Sequence, residues 1–452
     1  MSTQFRSWGT VPEEPQASNQ PSWVTDIAPW LANQQRTLAV GNGRSYGDSC
    51  LLRGHSVLQT TRLNRLIHFD PSTGILKAES GVRLSELLPI VIAQGWFLPV
   101  SPGTSFITLG GAVANDVHGK NHHCDGTFGR FVRQIELLRS DGDRHLCSQQ
   151  ENPELFAATV GGLGLTGVIT SVEIQLIPIS SSYLDVRIDA FSSLDEYANL
   201  SLSTMNDHRY NVAWMDCTAR GTAGRGVLMS ANHSEASPEE SPDALWAGEL
   251  APKISVPFNC PKHLLNRYSL RAFNALYYQM QKRKTGRLHQ QHYQSFFYPL
   301  DAIGHWNRIY GNRGFHQYQF TLPKAALPVM SDLLTQITNS GMGSFLAVLK
   351  EFGDIPSPGL LSFPREGYCL ALDFAERGEK TTRLIRRLDA QVRDAGGAAY
   401  PAKDKLMSAE SFQQYFPEWR QFAELIDPKL SSDFWQRVSS PVDQSTQAGK
   451  PL

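Results

Sequence analysis

The chain has 452 residues, of which 41% are hydrophobic and 19% are charged, and its formal net charge is -1. This is the composition of a globular protein, and the length predicts two domains or one elaborated domain. The near-zero charge argues against a nucleic-acid-binding protein, because such proteins carry an excess of Lys and Arg. The six cysteines form no Cys-x-x-Cys pair, so we expect free thiols and no metal site.

No apolar run is long enough to span a membrane, since the longest covers 87–100 and contains Gln94 and Pro99. The first residues lack a charged start followed by an apolar segment, so no secretory signal is predicted. We therefore expect a protein of the cytoplasm or one held peripherally at the inner membrane. The basic run at 281–284 is either a solvated helix end or a contact with a membrane surface.

The first part of the chain alternates short strands with Gly-rich turns. Strand-like segments flank turns at 71–74 and 141–142, which predicts two hairpins. A helix is predicted over 84–94, although Pro89 would bend it. A long strand follows the last Gly-rich turn and ends at Pro178.

The later part of the chain has longer strands and amphipathic helices. Residues 315–322 and 368–375 alternate between the two faces of a strand. A helix with a basic end is predicted over 268–284. Residues 232–262 are rich in Pro, Ser and Glu, which is typical of a surface loop.

These patterns predict an α+β fold of two domains. The first domain covers 1–180 and is completed by 398–452. The second covers 181–397 and is built on an antiparallel sheet flanked by helices.

Three Gly-rich turns are the strongest candidates for ligand binding. They are GNGRSYGD (41–48), PGTSFITLGG (102–111) and GGLGLTGVI (161–169). Glycine lets the backbone approach a flat or phosphorylated ligand, because no Cβ intervenes. None of the three fits the dinucleotide motif between a strand and a helix, and no P-loop occurs. For each motif taken alone, a turn at the protein surface remains the alternative.

In this order, the three motifs resemble the FAD-binding domain of the vanillyl-alcohol-oxidase type, or PCMH-type, flavoproteins. The resemblance implies that the first two turns cradle the FAD pyrophosphate with backbone amides, and that the third contacts the adenosine half. Many covalent members carry a flavin-bonded His where this chain has Arg44, so the resemblance implies non-covalent FAD. The cofactor-binding residues that it implies are Gly43, Arg44, Ser45, Tyr46, Gly47, Gly103, Thr104, Thr108, Gly110, Gly111, Ala114, His118, Gly162, Gly167 and Tyr400.

A narrower resemblance extends along the whole chain. It is to the decaprenylphosphoryl-ribose 2'-oxidase family, and it is carried by GRSYGDS, HGKNHH, TVGGLGLTG, FHQYQF, VLKEFG, SFP and PAKD. It implies oxidation of the 2'-hydroxyl of a polyprenylphosphoryl-β-D-ribose to a ketone, by hydride transfer to flavin N5. A separate short-chain NAD(P)H reductase then completes the epimerisation that makes the arabinose donor for bacterial cell-wall arabinan. The alternatives are a soluble alditol or aldonolactone oxidase that uses oxygen, and a binding protein that keeps a flavin fold without activity.

The same resemblance implies the side chains that act on the substrate. The catalytic candidates are His118, Lys403, Lys350 and Gln319, and the substrate-binding candidates are Gln317, Gln319, Lys350, Lys403 and Trp214. Either His118 or Lys403 is the base, and the sequence does not choose between them. A lysine could also stabilise the reduced flavin or bind a substrate phosphate. Other interpretations stay open. The two glutamines could lie on the solvent-facing side of an edge strand, Trp214 could be a core residue, and Lys403 could be a solvent-exposed charge in a loop.

The chain departs from these relatives at two positions. Ala371 stands where the relatives have a cysteine, and Cys369 precedes it by two residues on the same strand face. Phe297 replaces a pocket tyrosine. The departures bear on the sugar or lipid specificity and leave the reactivity of Cys369 open.

Overall fold

The computed structural model describes residues 3–9, 16–219, 224–235, 245, 248, 251–261 and 264–440. The fold is α+β, as predicted, and its described strands form two main sheets, of five and of eight strands, together with a four-stranded sheet and two two-stranded pairs. Much of the predicted loop at 232–262 lies outside the described residues. So do residues 441–452 of the segment predicted to complete the first domain.

The N-terminal part contains a four-stranded sheet in the order β1-β2-β4-β3 and a five-stranded antiparallel sheet in the order β5-β6-β10-β8-β9. A two-stranded pair, β7 with β11, lies beside them. The strands are β1 (Thr3–Phe5), β2 (Gln16–Asn19), β3 (Ala39–Val40), β4 (Val57–Gln59), β5 (Leu66–Asp70), β6 (Ile75–Glu79), β7 (Trp96–Phe97), β8 (Val132–Leu138), β9 (Arg144–Cys147), β10 (Val168–Gln175) and β11 (Ile177–Pro178). The helices are α1 (Ile27–Ala32), α2 (Leu84–Ile92), α3 (Leu109–Ala114), α4 (His122–Asp125) and α5 (Pro153–Thr159).

Most local predictions for this part hold, but the strand predicted to end at Pro178 is interrupted, since β10 ends at Gln175 and β11 covers Ile177–Pro178. β5 and β6 pair across the turn at 71–74, and β8 and β9 pair across the turn at 141–142. Helix α2 begins at Leu84 and keeps Pro89 within it. Helix α3, however, was not predicted. It has only six residues and two of them are glycines, so it carries neither helical periodicity nor propensity.

The second main sheet has eight antiparallel strands in the order β16-β12-β14-β13-β19-β20-β18-β21. The remaining strands, β15 and β17, form a separate parallel pair. The strands are β12 (Tyr183–Phe191), β13 (Tyr210–Met215), β14 (Gly226–His233), β15 (Ile254–Ser255), β16 (Leu288–His292), β17 (Ile303–Gly304), β18 (Phe315–Leu322), β19 (Ala347–Phe352), β20 (Gly367–Ala375) and β21 (Ala398–Ala399). The helices are α6 (Leu194–Thr204), α7 (Arg267–Lys282), α8 (Tyr293–Phe297), α9 (Leu327–Ser340) and α10 (Glu379–Asp394).

The two faces of this sheet have different chemistry. On one face, apolar side chains such as Phe320, Leu349 and Leu370 join helices α6, α9 and α10 in one buried core. Because side chains alternate along a strand, the neighbouring residues point to the opposite face. That face carries polar residues such as Gln319 and Lys350, which line a cavity.

The C-terminal segment consists of α11 (Ala409–Tyr415), α12 (Trp419–Leu425) and α13 (Asp433–Val438), and it packs against the N-terminal part. Arg437 pairs with Asp48 at 2.8 Å, and Arg53 pairs with Asp433 at 3.0 Å. These contacts agree with a first domain completed from the C-terminus, although the domain boundaries themselves stay a prediction.

Candidate active site

A cavity of about 1280 Å³ is lined by the three Gly-rich turns and by the polar face of the eight-stranded sheet. It is therefore built from segments far apart in the chain. Most of the predicted site residues line it together. They are Gly43, Arg44, Ser45, Tyr46, Gly103, Thr104, Thr108, Gly110, Gly111, Ala114, His118, Gly167, Trp214, Gln317, Gln319, Lys350, Tyr400 and Lys403.

The turn side of the cavity depends on missing side chains. A Cβ at Gly41 would lie 2.3 Å from Oγ1 of Thr108, and one at Gly110 would lie 2.8 Å from Cβ of Ser80. Thr108 also caps helix α3 by accepting a hydrogen bond from the amide of Gly111 at 3.2 Å. At Gly103 a Cβ would meet no atom of the described residues within 4 Å. The backbone here thus leaves a shaped surface for a large ligand.

Arg44, in the first Gly-rich turn, stacks on aromatic rings. Its guanidinium carbon lies 4.1 Å from the centroid of the Trp8 ring and 5.4 Å from that of Phe106. Its Nε is buried and, in the described part of the chain, has no hydrogen-bond partner. Burial lowers the pKa of Arg44, and the Asp301 carboxylate partly offsets this effect. A buried donor without a partner is costly, so this Nε fits a ligand acceptor.

Asp301 ties the second turn to the segment after α8. Its carboxylate accepts hydrogen bonds from the hydroxyl of Thr104 and from the amide and hydroxyl of Ser105, each at 2.7 Å. The turn that approaches the ligand is therefore held by charge-assisted hydrogen bonds.

His118 meets Gln319 across the cavity. The Gln319 side-chain amide donates to Nε2 of His118 at 2.7 Å, which requires that Nε2 be unprotonated. Burial, followed by the positive charge of Lys350, lowers the pKa of His118 well below its usual range. Its Nδ1 is buried without a partner among the described residues. The imidazole is thus neutral and offers one N–H to a bound molecule.

Three half-buried lysines give the cavity a cationic character: Lys120, Lys350 and Lys403. The Lys350 ammonium donates to the carbonyl oxygen of Gly119 at 3.2 Å. Burial lowers the pKa of Lys350. Burial, together with the charge of Lys350, lowers the pKa of Lys120 to about 7. Burial also lowers the pKa of Lys403 to about 7, although the negative charge of Asp373 opposes this shift. Cationic groups in a site partly shielded from solvent favour an anionic ligand.

Lys403 lies within a polar network that extends from the sheet. Its Nζ is 3.8 Å from the ring centroid of Tyr46. Asp373 accepts from Gln317 at 2.7 Å and from the hydroxyl of Tyr310 at 3.2 Å. Burial raises the pKa of Asp373 to about 7, and the nearby charge of Lys403 opposes that rise. The amine and the carboxyl group can therefore both change protonation near neutral pH.

The remaining predicted positions fill other roles. The Trp214 indole donates to the carbonyl oxygen of Phe345 at 3.0 Å, so its N–H is already used and its ring forms cavity wall. The Tyr400 hydroxyl donates to the carbonyl oxygen of Asn115 at 2.8 Å. Cys369 lines the cavity, and burial raises the pKa of its thiol to about 12, so it is a protonated thiol and a poor nucleophile.

Two predicted glycines do not line the cavity. A Cβ at Gly47 would lie 1.6 Å from the backbone oxygen of Asp404, and one at Gly162 would lie 2.0 Å from that of Ala158. Both serve close packing of the protein on itself, whereas Gly164 and Gly167 supply the third turn's lining.

Sequence reasoning missed several residues of the site. Lys120 lies in the motif HGKNHH (118–123) but was not among the predicted site residues. Asp301, Asp373 and Tyr310 had no local signal, because each acts through partners distant in the sequence.

Comparisons with known proteins agree with this geometry. Residues 25–148 match the family described as FAD binding domain. The chain is 35% identical to the decaprenylphosphoryl-β-D-ribose oxidase of Mycolicibacterium smegmatis, over 89% of this chain and 88% of that protein. It is 32% identical to an uncharacterised protein of Streptomyces coelicolor, over 79% of this chain and 100% of that protein. A third similarity, 32% identity to the L-gulonolactone oxidase of Scyliorhinus torazame, covers 39% of this chain and 41% of that protein.

The fold, the site and the matched domain define an oxidoreductase whose cofactor is FAD. The buried donors and the glycine surface described above fit a large anionic cofactor of this kind. The extent and identity of the first similarity go further: the chain belongs to the decaprenylphosphoryl-β-D-ribose oxidase family.

Proposed function

We propose that this protein oxidises the 2'-hydroxyl of a polyprenylphosphoryl-β-D-ribose to a ketone. The observation that carries the proposal is that the neutral imidazole of His118, the side-chain amide of Gln319 and the amines of Lys350 and Lys403 meet in one cavity with the Gly-rich turns. The similarity to the mycobacterial oxidase over most of both chains supports the substrate. FAD supplies the hydride acceptor, so the carbinol hydrogen leaves with its electron pair while the hydroxyl proton passes to a base.

We assign the base to Lys403. General-base catalysis is most effective when the pKa of the base lies near the working pH, and the pKa of Lys403 is lowered to about 7. His118 has its pKa depressed well below 6.5, which makes it a weaker proton acceptor. Its free Nδ1–H instead orients a substrate or cofactor oxygen, and Gln319 fixes the tautomer.

The other two lysines face different negative charges, one on the cofactor and one on the substrate. Lys350, fixed by the carbonyl of Gly119, balances charge that develops on the reduced cofactor. Lys120 donates to the carbonyl oxygen of Phe296 and lies 4.3 Å from that ring's centroid. This position suits a substrate phosphate near the aromatic side of the cavity.

FAD is held without a covalent bond in this proposal. The turn position used for covalent attachment in many relatives holds Arg44, whose guanidinium stacks on Trp8 and has no nucleophilic atom. Acid precipitation of the purified protein should therefore release the flavin into the supernatant. Yellow colour retained in the pellet would contradict non-covalent binding.

Anaerobic mixing tests the reaction directly. A polyprenylphosphoryl-β-D-ribose should bleach the flavin absorbance, whereas alditols and aldonolactones should not. Bleaching by a lactone with peroxide release in air would instead support a soluble oxidase. The lactone-oxidising relative covers less than half of either chain, so the comparisons do not favour that outcome. Bound FAD that no substrate bleaches would identify a binding protein.

A ketone product implies a second enzyme. Epimerisation at the 2'-carbon needs hydride returned to the opposite face, and we propose a separate short-chain NAD(P)H reductase for this step. Adding such a reductase with NAD(P)H to the oxidised product should yield the arabino epimer. Accumulation of the arabino epimer without any reductase would contradict the division of labour.

A further inference from the structure

The described exposed apolar residues of this protein are concentrated in one segment. Among the described residues, fourteen large hydrophobic side chains are exposed, and eight of them lie between residues 254 and 288. They are Ile254, Phe258, Leu264, Tyr268, Phe273, Leu276, Met280 and Leu288. Scattered exposed apolar residues are normal, but a concentration of this kind marks an interaction surface.

Helix α7 is the centre of this surface, and its orientation is fixed. On its inner side, Asn274 donates to Asp216 at 3.1 Å, and the Tyr278 hydroxyl donates to the carbonyl oxygen of Phe191 at 3.3 Å. On its outer side, Phe273, Leu276 and Met280 follow helical spacing and are 50%, 63% and 53% exposed. A surface helix ordinarily presents polar residues there.

Helix α10 gives an internal comparison, because it also has sixteen residues and covers the opposite face of the same sheet. Its exposed residues are Glu379, Lys380, Arg383, Arg386, Arg387 and Asp394. The apolar outer side of α7 is therefore a property of that helix and not of helices on this sheet in general.

The charge of the same segment is one-sided. Residues 251–300 contain eight Lys or Arg and no Asp or Glu, in a chain whose net charge is -1. Lys282, Arg283 and Arg287 are exposed at the end of α7 and just beyond it. Exposed apolar residues beside exposed cations are complementary to a bilayer that contains anionic lipid.

This surface is continuous with the cavity. Leu264 and Phe273 are exposed and also line the cavity, and Tyr277 of α7 lines it further in. A chain that leaves the cavity past these residues would thus emerge at the apolar outer side of α7. A water-soluble sugar would not need such an exit.

We infer that the outer side of α7 and the segment around it dock on an anionic lipid bilayer, with the cavity open toward the membrane. The polyprenyl chain of the substrate then stays in the bilayer while its sugar phosphate enters the cavity. This inference takes the lipid-linked substrate from the proposed function, but membrane binding can be measured without any turnover.

Vesicle flotation of the FAD-bound full chain tests the inference. The wild-type protein should float with phosphatidylcholine vesicles that contain phosphatidylglycerol, and far less with phosphatidylcholine alone. The double variant Leu276→Glu, Met280→Glu should lower the bound fraction roughly tenfold or more. The triple variant Lys282→Gln, Arg283→Gln, Arg287→Gln should lower it roughly a hundredfold and weaken its salt dependence.

Leu202→Glu is the matched control. Leu202 is 63% exposed, as is Leu276. It lies on helix α6, which packs on the face of the eight-stranded sheet opposite to α7. Its flotation should equal that of the wild type. Equal loss in the control, or a wild type that stays unbound with every vesicle, would overturn the inference. So would a stable dimer in solution that Leu276→Glu dissociates, since a second copy would then cover α7.

A second readout separates this inference from the proposed function. With a short-chain polyprenylphosphoryl-β-D-ribose in detergent, Leu276→Glu should bleach the flavin at the wild-type rate, because this residue does not line the cavity. Normal flotation without bleaching would contradict the substrate and leave the docking surface standing. Bleaching without flotation would support the substrate and contradict the docking surface.

Discussion

The two sides of the cavity are built by different means. The turn side is made of backbone and small side chains, and close contacts such as that of Gly41 with Thr108 leave no room for larger residues. The sheet side consists of long polar side chains, including Gln317, Gln319 and Lys350, presented by neighbouring strands. The first side can provide shape and backbone amides, whereas the second provides groups that change protonation or donate hydrogen bonds. Substitutions on the two sides should therefore fail in different ways.

The largest effect is expected at the boundary between the two sides, at Lys403. Lys403→Met removes the proposed base and should lower the rate of flavin reduction about 1,000-fold while FAD stays bound. Stopped-flow absorbance measures the rate, and a primary amine such as ethylamine should restore part of it. If His118→Ala loses as much and Lys403→Met little, the base is His118 instead.

On the turn side, Gly103→Val should weaken FAD binding about 100-fold. Gly103 lines the cavity, and no atom of the described residues lies within 4 Å of a Cβ at this position, so the added side chain should occupy cofactor space and spare the fold. Fluorescence titration with FAD gives the affinity, and thermal melting of the apoprotein provides the control. An unchanged affinity would remove Gly103 from the cofactor surface.

The rate of flavin reduction and the affinity for FAD should depend on pH differently, because they are set on different sides of the cavity. A base must be deprotonated to act, so flavin reduction should rise about tenfold per pH unit up to about 7 and then level off, because the pKa of Lys403 is lowered to about 7. The negative charge of Asp373 raises that pKa, so Asp373→Asn should move the midpoint to lower pH. FAD affinity should change little over this range. A midpoint that moves upward would contradict the assignment.

A smaller effect is expected at Gln319. Gln319→Leu removes the donor to Nε2 of His118 and should slow flavin reduction roughly fivefold, the worth of about one hydrogen bond. The matched variant Gln317→Leu loses its bond to Asp373 instead and should also shift the pH midpoint. Identical pH profiles in the two variants would contradict separate roles for the two glutamines in the reaction.

The smallest effect is expected at Cys369. Burial raises the pKa of its thiol to about 12, so Cys369→Ala should change the rate of flavin reduction less than about twofold, and iodoacetamide at neutral pH should leave the residue unmodified. Mass spectrometry of the treated protein checks the second expectation. Rapid alkylation at this position would mean that the cavity is more open and wetter than the structure has it.

Much of the site was readable because its turn side is local in the sequence. A glycine required for close approach leaves its mark at its own position, and the order of three such turns was specific enough to indicate FAD. The sheet side was predicted in part, from strand alternation at Gln317 and Gln319 and from the family resemblance at Lys350. Asp301 and Asp373 were missed, since only the folded chain brings them to Thr104 and Gln317.

The sequence by itself determined the class of fold and the strand periodicities, because hydrophobic alternation and glycine spacing act over a few residues, and the resemblance of its three Gly-rich turns to a known family indicated the cofactor. The tertiary structure decided which groups meet. It separated Gly47 and Gly162, which pack the protein on itself, from the glycines of the cavity. It also lowered the pKa of Lys403 and left the apolar side of α7 facing outward. Burial and long-range contacts set these properties, and neither is written in any short stretch of sequence.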